Sequence, residues 1–123
     1  MVKVFLSLAA LNGALAVALG AFGAHGLKGQ LSDTLFSAFS TAVQYHFYHT
    51  LALLGVAILV QQLGQSAALL ASGWLFVVGI LLFCGSLYGL ALGGPKLLGP
   101  ITPLGGVCFL LGWAALLVGV WRA

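Results

Sequence analysis

The chain alternates between long apolar runs and short polar breaks. Runs such as LALLGVAILV and LLGWAALLVGV are continuous. They lack the in-and-out alternation over about 10 residues that marks a membrane β-strand. A spanning helix needs about 20 apolar residues, and four windows supply them, at about 2–24, 42–62, 66–92 and 102–121. The pattern predicts an all-α, transmembrane four-helix bundle, a single integral membrane domain over residues 1–123.

The breaks carry their own signals. Residues 31–41 mix Ser32, Asp33 and Thr34 with Leu31, Leu35 and Phe39. This predicts a short amphipathic segment in the membrane interface, capped by Ser32, leading into the second span. The alternative is that it forms the first turns of one long, tilted second helix. In QQLGQSA, Gly64 suits the end of a helix and Ser66 the start of the next. In PKLLGPITP, prolines stop the third helix, and Thr102 followed by Pro103 suits the start of the fourth.

Small residues recur at helical spacing. Gly13 and Gly20 share a face of the first helix, Gly85, Gly89 and Gly93 make a tandem GxxxG, and Gly105, Gly112 and Gly119 repeat every seven positions. Such stripes let helix backbones approach closely where lipid removes the hydrophobic drive. They serve either packing within one bundle or contact with another subunit.

Composition sharpens this picture. Hydrophobic residues make up 63% of the 123 positions and charged residues 4%, with a mean hydropathy of +1.22. A soluble globule carries about 25% charged residues, so lipid must solvate most of this chain. The net charge of +3 comes from four scattered Lys and Arg against one Asp, and the four make no nucleic-acid footprint. They divide two against two between the membrane faces, so charge does not choose an orientation. Lys3, the run after it and Ala21-Phe22-Gly23 also match a signal peptide with a small-x-small site; the segment is read here as a helix of the mature protein. Cys84 and Cys108 lie in apolar windows and are read as small hydrophobes, with a disulfide or metal pair as the minor alternative.

The candidate chemistry gathers at one face. His25, Lys28 and Asp33 follow the first span, and Tyr45, His46 and His49 open the second. If the second helix enters the membrane near Ala42, His49 lies about 10 Å inside. A titratable ring at that depth marks a candidate site unless it is neutral and paired. Thr41, Tyr45, Tyr48, His49 and Ala52 share a broad side of the helix, and His46 points about 60° further round. The expected polar cluster is His25, Lys28, Asp33, Tyr45 and His49, with His25 facing His49 across the bundle and Asp33 pairing with Lys28 or a histidine. The bland reading of these rings is interfacial anchoring. A three-histidine zinc site is a weaker alternative, since only His46 and His49 are close in sequence. No metal or cofactor is expected. Asn12, near mid-span, needs a partner and should face another helix. There is no phosphate-binding loop, dinucleotide fingerprint or Ser/His/Asp arrangement, so no enzyme is expected.

The stretches AFGAHGL, TAVQYHFYHTLALL, FCGSLYGLAL and GPITPLGGVCFLLGW run in order along nearly the whole chain. Together they resemble the YgdD family of small four-helix membrane proteins, a bacterial family of unknown function with a relative in animals. The matching positions are Gly23, His25, Gly26, Thr41, Tyr45, His49, Ser86, Tyr88, Thr102, Pro103 and Gly105. The resemblance implies four helices in the bacterial inner membrane and no established activity. It also implies that His46, at a variable position, matters less than His49.

These readings converge on a small integral membrane protein. The expected role is an accessory or assembly subunit of a larger membrane complex, or a homo-oligomeric module packed through its glycine faces. One rival is proton or small-solute transport through a His25/His49 pocket, since histidine titrates near neutral pH. The other is lipid binding by Lys28, Lys96 and the amphipathic segment.

Overall fold

A computed structural model describes all residues, 1–123. It is all-helical, with four helices long and apolar enough to cross a membrane: α1 (Val2–Leu27), α2 (Asp33–Leu63), α3 (Ala67–Ala91) and α4, within the span Lys96–Arg122. The regular α-helix of α4 is Ile101–Arg122, preceded by a single 3-10 turn, Lys96–Leu98. Two helices contain a π-helical turn, Gly23–Leu27 at the end of α1 and Ile80–Cys84 within α3.

The polar breaks act through identifiable atoms. Ser32 Oγ accepts the Leu35 N–H at 3.2 Å and Ser66 Oγ accepts the Leu69 N–H at 3.1 Å, so each serine caps the helix that follows it. Gly64 ends α2 with φ of +91°, a left-handed conformation that a side chain would strain. Gly93 does the same just beyond α3.

Two expectations need correction, and one open choice is decided: Ser32 caps one unbroken helix from Asp33 to Leu63, so residues 31–41 open a single long second helix and form no separate one. At about 46 Å this helix exceeds a bilayer core of about 30 Å. Its first turns, where Asp33, Thr34 and Ser37 are exposed, are amphipathic because they outlast the hydrocarbon. Thr102 does not cap α4 either. That helix starts at Ile101 without a side-chain cap, and Thr102 instead bonds Ser86 of α3 at 2.5 Å. Finally, Gly85, Gly89 and Gly93 do not line a contact between helices within this bundle. Gly85 and Gly93 have nothing within 4 Å of a Cβ position, and Gly89 makes room for the Leu98 side chain of the loop returning to α4. The stripe fails because α3 ends at Ala91, leaving Gly93 in the turn.

Packing follows two close seams, α1 on α2 and α3 on α4, joined by α2 against α3. On α1, the buried Phe5, Ala9 and Ala16 lie toward the core, and Gly13 and Gly20 face Thr50 and Val43 of α2. On α4, Gly105, Gly112 and Gly119 meet Phe83, Phe76 and Leu69 of α3. Reciprocally, Gly79 of α3 receives Phe109, and Gly73 receives Phe5. Ser72 Oγ donates to the Gly112 carbonyl at 2.8 Å, a bond made possible by that close approach. The core consists of Phe5, Leu53, Val56, Leu69, Phe76, Ile80, Cys84 and Phe109, among others. Cys84 and Cys108 are both free thiols.

Candidate functional site

The two histidines of α2 occupy the middle of the bundle. Counted from Asp33, His46 lies about 20 Å along the helix and His49 about 24 Å, close to the midpoint of α2. They are 1% and 5% exposed. Their spacing of three residues turns them into different seams: His46 points between α1 and α3, and His49 toward α4.

His46 is the centre of a polar chain across three helices. The Asn12 amide donates to the Leu8 carbonyl at 2.8 Å, and a carbonyl can only accept. The other end of the amide, Oδ1, therefore faces His46 Nε2 at 2.9 Å, and that nitrogen must carry a hydrogen. The remaining nitrogen, Nδ1, lies 2.9 Å from the Tyr88 hydroxyl and accepts its hydrogen in the neutral ring. The π turn Ile80–Cys84 immediately precedes the turn of α3 that carries Tyr88. Its Phe83 carbonyl accepts from Ser86 Oγ at 3.0 Å, so the Thr102 hydroxyl is the donor in the Ser86–Thr102 pair.

His49 is held in the opposite tautomer. Its Nδ1 donates to the Tyr45 carbonyl, one turn earlier, at 2.9 Å. Its Nε2 accepts the indole N–H of Trp113 in α4 at 3.1 Å. The ring stacks on Phe109, with centroids 3.5 Å apart and planes 9° from parallel, and meets Phe76 and Trp113 edge-on. Phenylalanine in place of Trp113 should keep most of this aromatic contact but remove the donor to Nε2. About 1 kcal/mol of stability should be lost, measured as a lower unfolding midpoint in mixed micelles, because one hydrogen bond goes and a ring nitrogen is left unpaired. An unchanged midpoint would mean that the indole N–H contributes nothing there.

The expected five-residue cluster does not assemble. His25, Lys28 and Asp33 are exposed at the α1–α2 connection, and no side-chain hydrogen bond joins them to one another or to His49. His25 and His49 share no cavity, so the pocket of the transport reading is not formed. His25, His46 and His49 do not converge, and no three metal-ligating side chains come together. Tyr45 does lie beside His49, stacked at a centroid distance of 6.0 Å. Tyr88 and Trp113 are the groups that the spacing of polar residues did not bring out, and His46 was left outside the expected cluster. For His46 the available signal was Asn12, a second mid-span polar side chain in need of a partner. Trp113, in mid-helix rather than at an interface, was the signal for His49.

Four cavities lie between helices at the side of the bundle. The largest, about 450 Å³, is a groove between α2, α3 and α4 lined by Tyr45, His49, Phe83, Gly106, Phe109 and Trp113 among others. A smaller one of about 100 Å³ lies over the His46 chain.

The comparisons with known proteins fit a small membrane protein. Residues 19–106 match the family model described as a protein of unknown function, DUF423. The UPF0382 membrane protein YwdK of Bacillus subtilis is 49% identical over 116 residues, covering 94% of each chain. A UPF0382 membrane protein of Haemophilus influenzae is 44% identical over 119 residues, covering 97% of this chain and 94% of its own. No solved structure matches the chain. With the match extending over most of its length and four apolar helices to carry it, the chain is a small integral membrane protein and belongs to the DUF423 family of unknown function.

Proposed function

We propose that this protein is a non-enzymatic accessory module of the bacterial cytoplasmic membrane, binding laterally to a larger membrane protein or to further copies of itself. The observation that carries this reading is the state of the interior. Both buried histidines have both ring nitrogens bonded to groups of the same chain, one linking α1, α2 and α3 and the other linking α2 to α4. Polar groups used this way hold a bundle together. A catalytic or translocating site would instead present them to a substrate. The lateral surface is broad and includes aromatic rings, with Tyr48, Trp74 and Trp113 exposed along the spans. Helical spans rather than a barrel support the cytoplasmic membrane.

Native mass spectrometry after gentle extraction from the source membrane tests the proposal. The expected result is a complex of fixed stoichiometry, with a larger membrane protein or as a homo-oligomer. A bare monomer under conditions that preserve known membrane complexes would overturn it.

A further inference from the structure

The widest opening between helices lies where α2 and α4 flank α3 without packing closely on each other. Its α4 wall is a single helix face, because Pro103, Gly106, Val107, Leu110 and Trp113 recur at helical spacings. From Pro103 to Trp113 this wall is about 15 Å long, the depth of one leaflet of a bilayer core of about 30 Å. Over that length, the volume of about 450 Å³ makes a slot about 6 Å across. A helix with its side chains is about 10–12 Å across and cannot enter. An alkyl chain can, because carbon atoms pack about 3.5–4.0 Å apart. Gly106 keeps the slot open. An added Cβ there would meet only the Phe83 ring, at 3.9 Å, so the packing of α4 on α3 does not call for glycine at this position.

The polar groups of the lining divide into used and free. Both nitrogens of His49 and the indole N–H of Trp113 are bonded inside the chain, at the inner end of the slot. The Tyr45 hydroxyl is the one side-chain donor of the lining that bonds nothing in the chain. Tyr45 lies one turn before His49, and α2 and α4 both begin at the membrane face that carries Asp33 and Lys96. Side chains on a helix lean toward its N-terminus, so the hydroxyl leans toward that face. Its ring is braced on Phe83 at a centroid distance of 4.7 Å. A phenol O–H in hydrocarbon needs an acceptor. One donor at the outer end, with carbon surface beyond it, is the complement of an esterified acyl chain. Such a chain offers one carbonyl at its head and only hydrocarbon after it.

We propose that this groove binds one acyl chain of a membrane phospholipid. The ester carbonyl accepts the Tyr45 hydroxyl hydrogen, and the chain runs along Gly106, Val107 and Leu110 with its tail at Trp113. This goes beyond the accessory reading, which the stoichiometry of protein complexes decides. Bulk lipid touches every exposed residue of the spans. The groove differs in enclosing a chain between α2, α3 and α4 and in supplying a donor to its head.

The test uses the full chain in dodecyl maltoside micelles, with Trp74→Phe and Trp121→Phe leaving Trp113 as the only tryptophan. It is titrated with a phosphatidylglycerol brominated on its acyl chains, which quenches tryptophan fluorescence on contact, and bound lipid is counted by native mass spectrometry. Quenching should saturate with one phospholipid per chain. A companion chain with Trp74 alone, comparably exposed on α3 but outside the groove, should be quenched only in proportion to the lipid fraction. Gly106→Leu, which fills the slot, should raise the half-saturating lipid concentration about tenfold. Tyr45→Phe, which removes one hydrogen bond and keeps the ring, should raise it about fivefold. Unfolding midpoints report that each variant is folded. Equal, unsaturating quenching of Trp113 and Trp74 overturns the proposal without any further variant. So does a saturation that either folded variant leaves unchanged. An oligomer that shields Trp113 from the lipid would place a second copy over the groove and overturn it as well. A monomer that saturates with one phospholipid upholds the proposal while the accessory reading fails.

Discussion

Gly105→Ala should lower stability by about 1–3 kcal/mol, although it adds a single methyl group. A Cβ at this position would overlap the backbone nitrogen and Cα of Phe83 in the π turn of α3. Backbone cannot rotate away as a side-chain end can, so α4 must move outward. Three contacts depend on the present spacing: the Thr102–Ser86 pair, the Ser72 bond to the Gly112 carbonyl and the Phe109 ring against His49. The seam therefore loses contacts together rather than singly. Gly85→Ala is the matched control, on a helix face with nothing within 4 Å. It should be neutral or slightly stabilising, because alanine is the better helix former by about 1 kcal/mol. The measurement is the unfolding midpoint of both variants in mixed micelles, followed by tryptophan fluorescence. Equal midpoints would show that α4 does not approach α3 as closely as the backbone contact requires.

That contrast shows what the sequence made legible. Both glycine stripes, at 85/89/93 and at 105/112/119, read equally well as packing faces. Spacing places residues on one side of a helix; it does not say whether the helix continues or what lies opposite. The second stripe lies well inside α4 and meets Phe83, Phe76 and Leu69, large residues that need the room. The first runs off the end of α3 into a turn. Four spans and two serine caps were legible because each depends on local composition or on a bond three residues long. The resemblance to a family of small membrane proteins of unknown function holds at that level.

The candidate site was legible only in part, and for a related reason. Collecting polar residues near one membrane face grouped His25, Lys28 and Asp33 with His49. The expected entry point near Ala42 placed the histidines close to that face. In the bundle they lie near the midpoint of α2, bonded to the other helices, and the charged residues stay behind at the exposed connection. The π turn in α3 was invisible to any pattern of fixed 3.6-residue period. It lies between Gly79, which receives Phe109, and the Ser86 and Tyr88 hydroxyls, whose partners are on other helices.

For stability, as distinct from function, His46 ranks above His49, and this yields the second large effect. His46→Ala should be more destabilising than His49→Ala, by about 1–2 kcal/mol, on a total cost of about 3 kcal/mol. Removing the imidazole of His46 opens a void at the largest fully buried polar side chain of the bundle and leaves two groups, Asn12 Oδ1 and Tyr88 Oη, without their partner on two other helices. Removing His49 leaves only the Trp113 N–H and a backbone carbonyl, and the half-exposed indole can turn toward the groove beside it. Individual hydrogen bonds between membrane helices average only about 0.6 kcal/mol, because the unfolded chain in lipid finds other partners. The larger part of the expected cost is therefore the void and the unpaired groups. His46→Gln separates these contributions. Its amide can both donate to Asn12 and accept from Tyr88, so it should recover a substantial share of the loss, whereas His46→Leu fills the space without pairing either group. Unfolding midpoints in mixed micelles should fall in the order unsubstituted, Gln, Leu, Ala. If leucine matches or exceeds glutamine, packing alone decides stability at this position, and the Asn12–His46–Tyr88 chain does not hold the three helices together.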